Sequence, residues 1–140
     1  MQDYYSQEEL KKLHWKERWE YEARLERERL GSLTEEELLE MVQTGATGLY
    51  YQLWDVLSEK GSLEKAAQVL WEFLHRHPGK ANMLHRYHCS AALFAILGMP
   101  DPDCKNELRK KVQWDLEGEE ERQSALTDLQ RIIAEKTENL

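Results

Sequence analysis

Leucine occurs 21 times in this chain, while valine and isoleucine together occur seven times, and no segment alternates apolar and polar residues with period two. Straight-chain side chains lose little rotamer freedom in a helix, whereas branched ones favour the pleated surface of a sheet. The chain is therefore expected to be all-α. At 140 residues, 41% hydrophobic and 33% charged, it has the balance of one soluble globular domain. A domain of that size buries roughly two thirds of the surface its unfolded form exposes, so neither disulfide nor metal is needed for stability.

Helix starts and stops divide the chain. Ser6 followed by Glu9 forms a capping box ahead of Leu10, and the next glycine is Gly31, which predicts one long helix over about 7–30. Its apolar residues, Leu10, Leu13, Trp15, Trp19 and Leu25, are separated by charged clusters with four-residue pairs such as Glu20 and Arg24. This long charged N-terminal helix, within residues 1–31, is thus set apart from a helical-hairpin body over 32–140, both within a single domain.

Within that body Thr34 and Glu37 form a second capping box, and Leu33 is placed to pack on Leu38 as a hydrophobic staple. That helix should end at Gly45, and another should run from about Gly48 to Lys60, with Leu49, Leu53, Val56 and Leu57 on one stripe before Gly61. Ser62 is read as the cap of a third, in which Leu63, Ala66, Ala67, Leu70, Phe73 and Leu74 recur at helical steps until His77, Pro78 and Gly79. The segment from about Ala81 to Leu97 is apolar nearly all round in its second half, so it should be the central buried element, with Phe94 almost inaccessible. Asp101 and Pro102 are read as the cap and first position of the next helix, with Leu108, Val112 and Leu116 on a stripe before Gly118. The last should span about Glu120 to Glu135.

Short connections make successive helices largely antiparallel, as three hairpins over about 34–60, 62–97 and 102–135. The stretch Asn82–Gly98, NMLHRYHCSAALFAILG, resembles the inner helix of HEAT-like and related helical repeats. That resemblance implies antiparallel helical hairpins stacked as a short HEAT-like α-solenoid. The hairpin starts have no fixed period, and the proline usual in the leading helix of that family is missing from all three, so an irregular helical bundle is the alternative.

Charge and cysteine content narrow the function. With 27 acidic and 19 basic side chains the net charge is −8, so a phosphate backbone would be repelled; no nucleic-acid partner is expected, and a solvated acidic face is the simpler reading than DNA mimicry. The longest apolar run, Ala91–Leu97, is far short of the ~20 residues that cross a bilayer, and the opening Met-Gln-Asp-Tyr-Tyr is no signal peptide, so a cytoplasmic protein without a membrane partner is expected. Cys89 and Cys104 should then be reduced thiols. Cys89 reads as a small buried hydrophobe; Cys104, expected in a first helical turn, reads as a packing residue rather than a nucleophile.

The remaining chemistry lies in histidines and aromatics. His75 and His77 precede the loop at Gly79, and His85 and His88 lie one helical turn apart after it, but neither a Cys-x-x-Cys nor a His-Glu-x-x-His pattern occurs. Glu72 and His75 spell the Glu-x-x-His of di-iron bundles without the second copy such a site needs. No metal or other cofactor is expected, with His85 and His88 as the candidates were one present. Tyr50, Tyr51 and Trp54 crowd a helix whose leucine stripe already supplies a core face, which places aromatic rings near its rim. Trp15 and Trp19, one turn apart on a charged helix, either dock it onto the body or face a partner.

Without a catalytic motif, the reading is a non-enzymatic protein–protein interaction or adaptor module. Its helical groove would present Tyr50, Tyr51, Trp54, Trp15, Trp19 and Tyr87 as anchors to a protein or peptide partner. The alternative is a small-molecule-sensing helical domain that encloses an apolar ligand lined by Tyr50, Tyr51, Trp54 and Tyr87. The opening YYSQEEL, residues 4–10, is similar to the start of drug-sensing domains attached to bacterial regulators. A third reading centres an enzyme or metalloprotein on His85 and His88.

Overall fold

A computed structural model of the chain describes residues 4–45, 51–78, 80–113 and 118–140. Among these residues the protein is helical, without strands. In chain order the helices are α1 (Gln7–Lys12), α2 (Trp15–Gly31), α3 (Glu35–Thr44), α4 (Tyr51–Lys60), α5 (Ala66–Arg76), α6 (Met83–Ile96), α7 (Glu107–Gln113) and α8 (Glu119–Glu138), and a single 3-10 turn over Lys80–Asn82 leads into α6. No helix of the described residues is long and apolar enough to cross a membrane.

Both capping boxes form reciprocally: Glu9 N–H donates to Ser6 Oγ and Ser6 N–H to Glu9, while Glu37 N–H donates to Thr34 Oγ1 and Thr34 N–H to Glu37. Each satisfies two backbone donors that a helix start leaves without partners. Gly45, at φ 67°, ends α3 in the left-handed conformation that costs glycine nothing.

The expected single helix over 7–30 is two helices. Leu13 turns extended, at ψ 145°, and His14 caps α2 by accepting from Lys16 N–H through Nδ1. Chain reversal follows: Tyr5 N–H donates to Tyr21 Oη at 3.0 Å, and the two rings meet edge to face at 4.9 Å. In a continuous helix these residues would lie ~24 Å apart at 1.5 Å per residue. Folding back buries Leu10 and Tyr21, which a straight charged helix would leave in water.

Two other starts shift. Ser62 caps a turn rather than α5 itself, since Lys65 N–H donates to Ser62 Oγ and helical structure begins at Ala66. The helix expected from Pro102 begins at Glu107, because the Asp101 carboxylate accepts from Lys105 and Asn106 N–H and holds a loop; Asn106 Oδ1 then caps α7 through Arg109 N–H. Cys104 sits in that loop at φ 52°, not in a first helical turn.

The helices form two rows of neighbours. α2, α4, α6 and α7 follow one another, as do α3, α5 and α8, and the rows meet where α3 packs on α4, α5 on α6 and α7 on α8. Lys60 Nζ donates to Leu33 O, which sets the end of α4 at the start of α3. Cys89 Sγ donates to Leu70 O and Arg86 to Leu74 O, so α6 runs antiparallel to α5. Trp71 Nε1 donates to Leu126 O at 2.8 Å, and Arg122 reaches Leu74 O, so α8 also runs antiparallel to α5.

Between the rows lies one apolar cluster, with Leu38 of α3, Leu57 of α4, Leu70 and Leu74 of α5, Leu93 and Phe94 of α6, and Leu126 and Leu129 of α8 fully buried. Phe94→Ala is therefore expected to cost ~3–5 kcal/mol in chemical denaturation, the range for large aromatic deletions in cores. Gly61 gives a sharper test. A Cβ there would meet Leu57 O of α4 at 2.6 Å and Ile96 Cδ1 of α6 at 2.8 Å, so the end of α4 has no room for a side chain without a backbone shift. Gly61→Ala, which elsewhere would stabilise by restricting the unfolded chain, should destabilise by ~1–3 kcal/mol in the same measurement.

Candidate functional site

Three groups of side chains carry chemistry beyond packing: an aromatic and histidine cluster between α4 and α6, a buried polar network between α6 and α7, and an exposed tryptophan pair on α2. In the first, Trp54 is fully buried, edge to face with Phe73 at 4.8 Å, and its indole N–H donates to His85 Nδ1 at 3.4 Å. Trp54 is thus a core residue, which corrects its expected place on the rim: its position beside Leu53 and Leu57 turns it inward with the leucine stripe. Tyr51, one turn earlier, is 41% exposed and stacks on His88 at 4.7 Å, with His85 at 5.3 Å. Tyr87 is half-buried, edge to face with His88 and under the Arg109 guanidinium at 4.9 Å. Tyr50 lies outside the described residues.

Burial pushes both histidines below their ordinary value of 6.5. For His85 the neighbouring His88 adds to the effect; for His88 Asp55 opposes it and Arg109 reinforces it. The Trp54 bond also requires an unprotonated Nδ1 on His85, so the site favours neutral imidazole.

The second group was not singled out from the sequence. Arg86, Ser90, Arg109 and Gln113 are all buried. The Arg86 guanidinium donates to Leu74 O and His77 O at the end of α5, and to Val112 O and Gln113 O at the end of α7. One turn along, Ser90 Oγ accepts from Arg109 Nε at 3.1 Å and lies 2.9 Å from Gln113 Oε1. Arg109 also donates to Asp101 O and Tyr87 O, and Gln113 Nε2 reaches the Cys104 sulfur at 3.1 Å. The signal in the sequence was two pairs of polar residues four apart, Arg86 with Ser90 and Arg109 with Gln113, on helices that pack together. The network positions the ends of helices, and burial pushes the Cys89 thiol up, away from thiolate chemistry.

Trp15 and Trp19 are 73% and 63% exposed, on one face of α2. The far end of that helix is anchored: Leu30 is in the core, Arg27 pairs with Glu59 and Asp55 of α4, and Lys60 donates to Gly31 O. The structure therefore does not use the pair to dock α2 onto the body.

Among the described residues, no group of three or more histidine, cysteine, aspartate or glutamate side chains is arranged to hold a metal ion. Glu72 pairs with Arg76 at 3.3 Å, and His75 stacks on Trp71 at 5.2 Å, so the Glu-x-x-His of α5 is used within its own helix. A surface groove of about 390 Å3 lies between α5 and α8, and a smaller one of about 210 Å3 between α7 and α8. No protein-family model, curated protein or solved structure matches the chain.

Two outcomes follow from the α4–α6 cluster. Trp54→Ala should cost ~3–5 kcal/mol, comparable with Phe94→Ala, whereas exposed Tyr51→Ala should change stability by under about 1 kcal/mol. The lowered histidine values also give stability a pH dependence. The unfolded chain takes up these protons first, so the stabilisation is complete above pH 6.5 and is lost as pH falls through the lowered folded-state values. Thermal melts should show that decline from neutral pH towards the onset of carboxylate protonation, and the double substitution His85→Gln with His88→Gln should flatten it.

Proposed function

We propose that this protein is a non-enzymatic protein–protein interaction module of the cytoplasm that engages a protein or peptide partner through aromatic anchors on its helices. The observation that carries the reading is the exposure of Trp15 and Trp19, at 73% and 63%, on a helix whose other end is fixed in the core. Large rigid rings bury much area on binding while ordering few torsions, and holding them on an anchored helix lowers the entropy lost on association. Tyr51 extends the set on α4; Trp54 leaves it for the core, Tyr87 is half-buried, and no role is assigned to Tyr50.

The architecture behind this surface is best described as helical hairpins in an irregular bundle. The pairs α3–α4 and α5–α6 enter their rows in the same order, as a HEAT-like stack would, but α7 lies beside α6 and α8 beside α5, so the third pair enters reversed. What counts against the sensor reading is Trp54: with Phe73 it occupies the place between α4 and its neighbours where an apolar ligand lined by these rings would have to sit.

The test is a photo-crosslinking amino acid in place of Lys16, next to Trp15 in the first turn of α2, in the full chain expressed in its native cell. A discrete partner should be captured and then lost in the double variant Trp15→Ala with Trp19→Ala, whose stability should stay within about 0.5 kcal/mol of the parent. With the captured partner purified, that variant should weaken binding by ~2 kcal/mol or more, roughly thirtyfold. Capture that is unchanged without the tryptophans would sink the reading.

A further inference from the structure

The charge of the molecule is divided between its two rows of helices. α3 carries four glutamates and no basic residue, α5 one acidic and one basic residue, and α8 six acidic against three basic, a net −7 for that row. The row of α2, α4, α6 and α7 sums to +2. Within the acidic row, the groove of about 390 Å3 lies between the turn leading into α5, with Gln68 of its first turn, and the C-terminal half of α8. Its apolar floor is Leu63, Ile133 and Ala134, and Gln68 and Gln130 bond to one another across it at 2.9 Å. Glu64 and Glu138 complete the lining, which holds no lysine or arginine.

We propose that this groove docks a cationic amphipathic helical segment of a partner protein. An incoming helix with leucine-type side chains at i, i+3, i+4 and i+7 would set them on the apolar floor and its lysines or arginines over the acidic rim. Opposite charge on the whole row would speed the encounter and turn away acidic segments. The inference rests on the interaction reading and gives it a second surface, with a partner chemistry, apart from the α2 tryptophans.

The probe is a labelled helical peptide with that leucine spacing and lysines elsewhere, titrated with the full chain and followed by fluorescence anisotropy, beside a copy in which glutamates replace the lysines. Ala134 is exposed, so Ala134→Trp fills the groove without disturbing the core or the charge. Glu64→Lys with Glu138→Lys reverses the rim, and Glu20→Lys with Glu28→Lys makes the same change in net charge on α2. The lysine peptide should bind and the glutamate peptide should not. Both groove variants should weaken binding by about tenfold or more, and the α2 control by less than about threefold, with amide shifts confined to α5 and α8.

Absence of binding, equal losses in the groove and control variants, unchanged binding by Ala134→Trp, or shifts centred on α2 would each overturn the proposal. Because the crosslink at position 16 reports on α2 alone, failure to capture a partner there, or capture unchanged by Trp15→Ala with Trp19→Ala, with peptide binding intact would instead reject the tryptophan surface.

Discussion

Arg86 stands in the first turn of α6, ahead of its apolar second half, with its guanidinium against the carbonyl ends of α5 and α7. Taking such a cation out of water is costly, and the cost is offset here by groups that themselves need partners: the last carbonyls of a helix lack intrahelical donors and carry the negative end of its dipole. One side chain thereby ties the ends of two helices to the start of a third. Arg122 shares Leu74 O from α8, and Arg109 repeats the device one turn along by holding the 101 loop and Tyr87 O. No buried side-chain nitrogen or oxygen among the described residues lacks a hydrogen-bond partner. A network satisfied to that degree specifies one packing of α5, α6, α7 and α8, where leucines alone would accept several.

That interior determines what the surface can offer. With Trp54 and Phe73 filling the contact between α4 and its neighbours, the large rings left in solvent among the described residues are those of Tyr4, Tyr5, Trp15, Trp19 and Tyr51, all on the N-terminal part of the chain or on α4. Net negative charge collects instead on α3 and α8, helices joined through α5. Aromatic anchors and acidic groove thus belong to different rows, a separation suited to two contacts of different chemistry: area burial at one, charge complementarity at the other.

Features that depend on a few adjacent residues were legible from the sequence. Ser6 with Glu9, Thr34 with Glu37, and Gly45 announced helix ends because a cap is a bond between residues three apart. The run from Ala91 to Leu97 announced a buried helix because no polar side chain interrupts it. The break at Leu13 was not legible: no proline or glycine marks it, and it exists because Tyr5 meets Tyr21. The start of α7 slipped for a similar reason, since Asp101 and Pro102 match a helix start but Asp101 caps a loop and binds Arg109.

By itself, then, the sequence determined the helical class, the positions of the strongest caps and the identity of the central apolar helix, all set by propensity and by bonds within one or two turns. Only the tertiary structure decided that Trp54 faces inward while Trp15 and Trp19 do not, that Arg86 and Arg109 are buried, and that α7 lies beside α6 rather than α5. The physical reason is that a helical pattern shows which residues share a face but not what that face meets. Burial, partner and exposure belong to pairs of distant segments, and they exist once the chain has closed on itself.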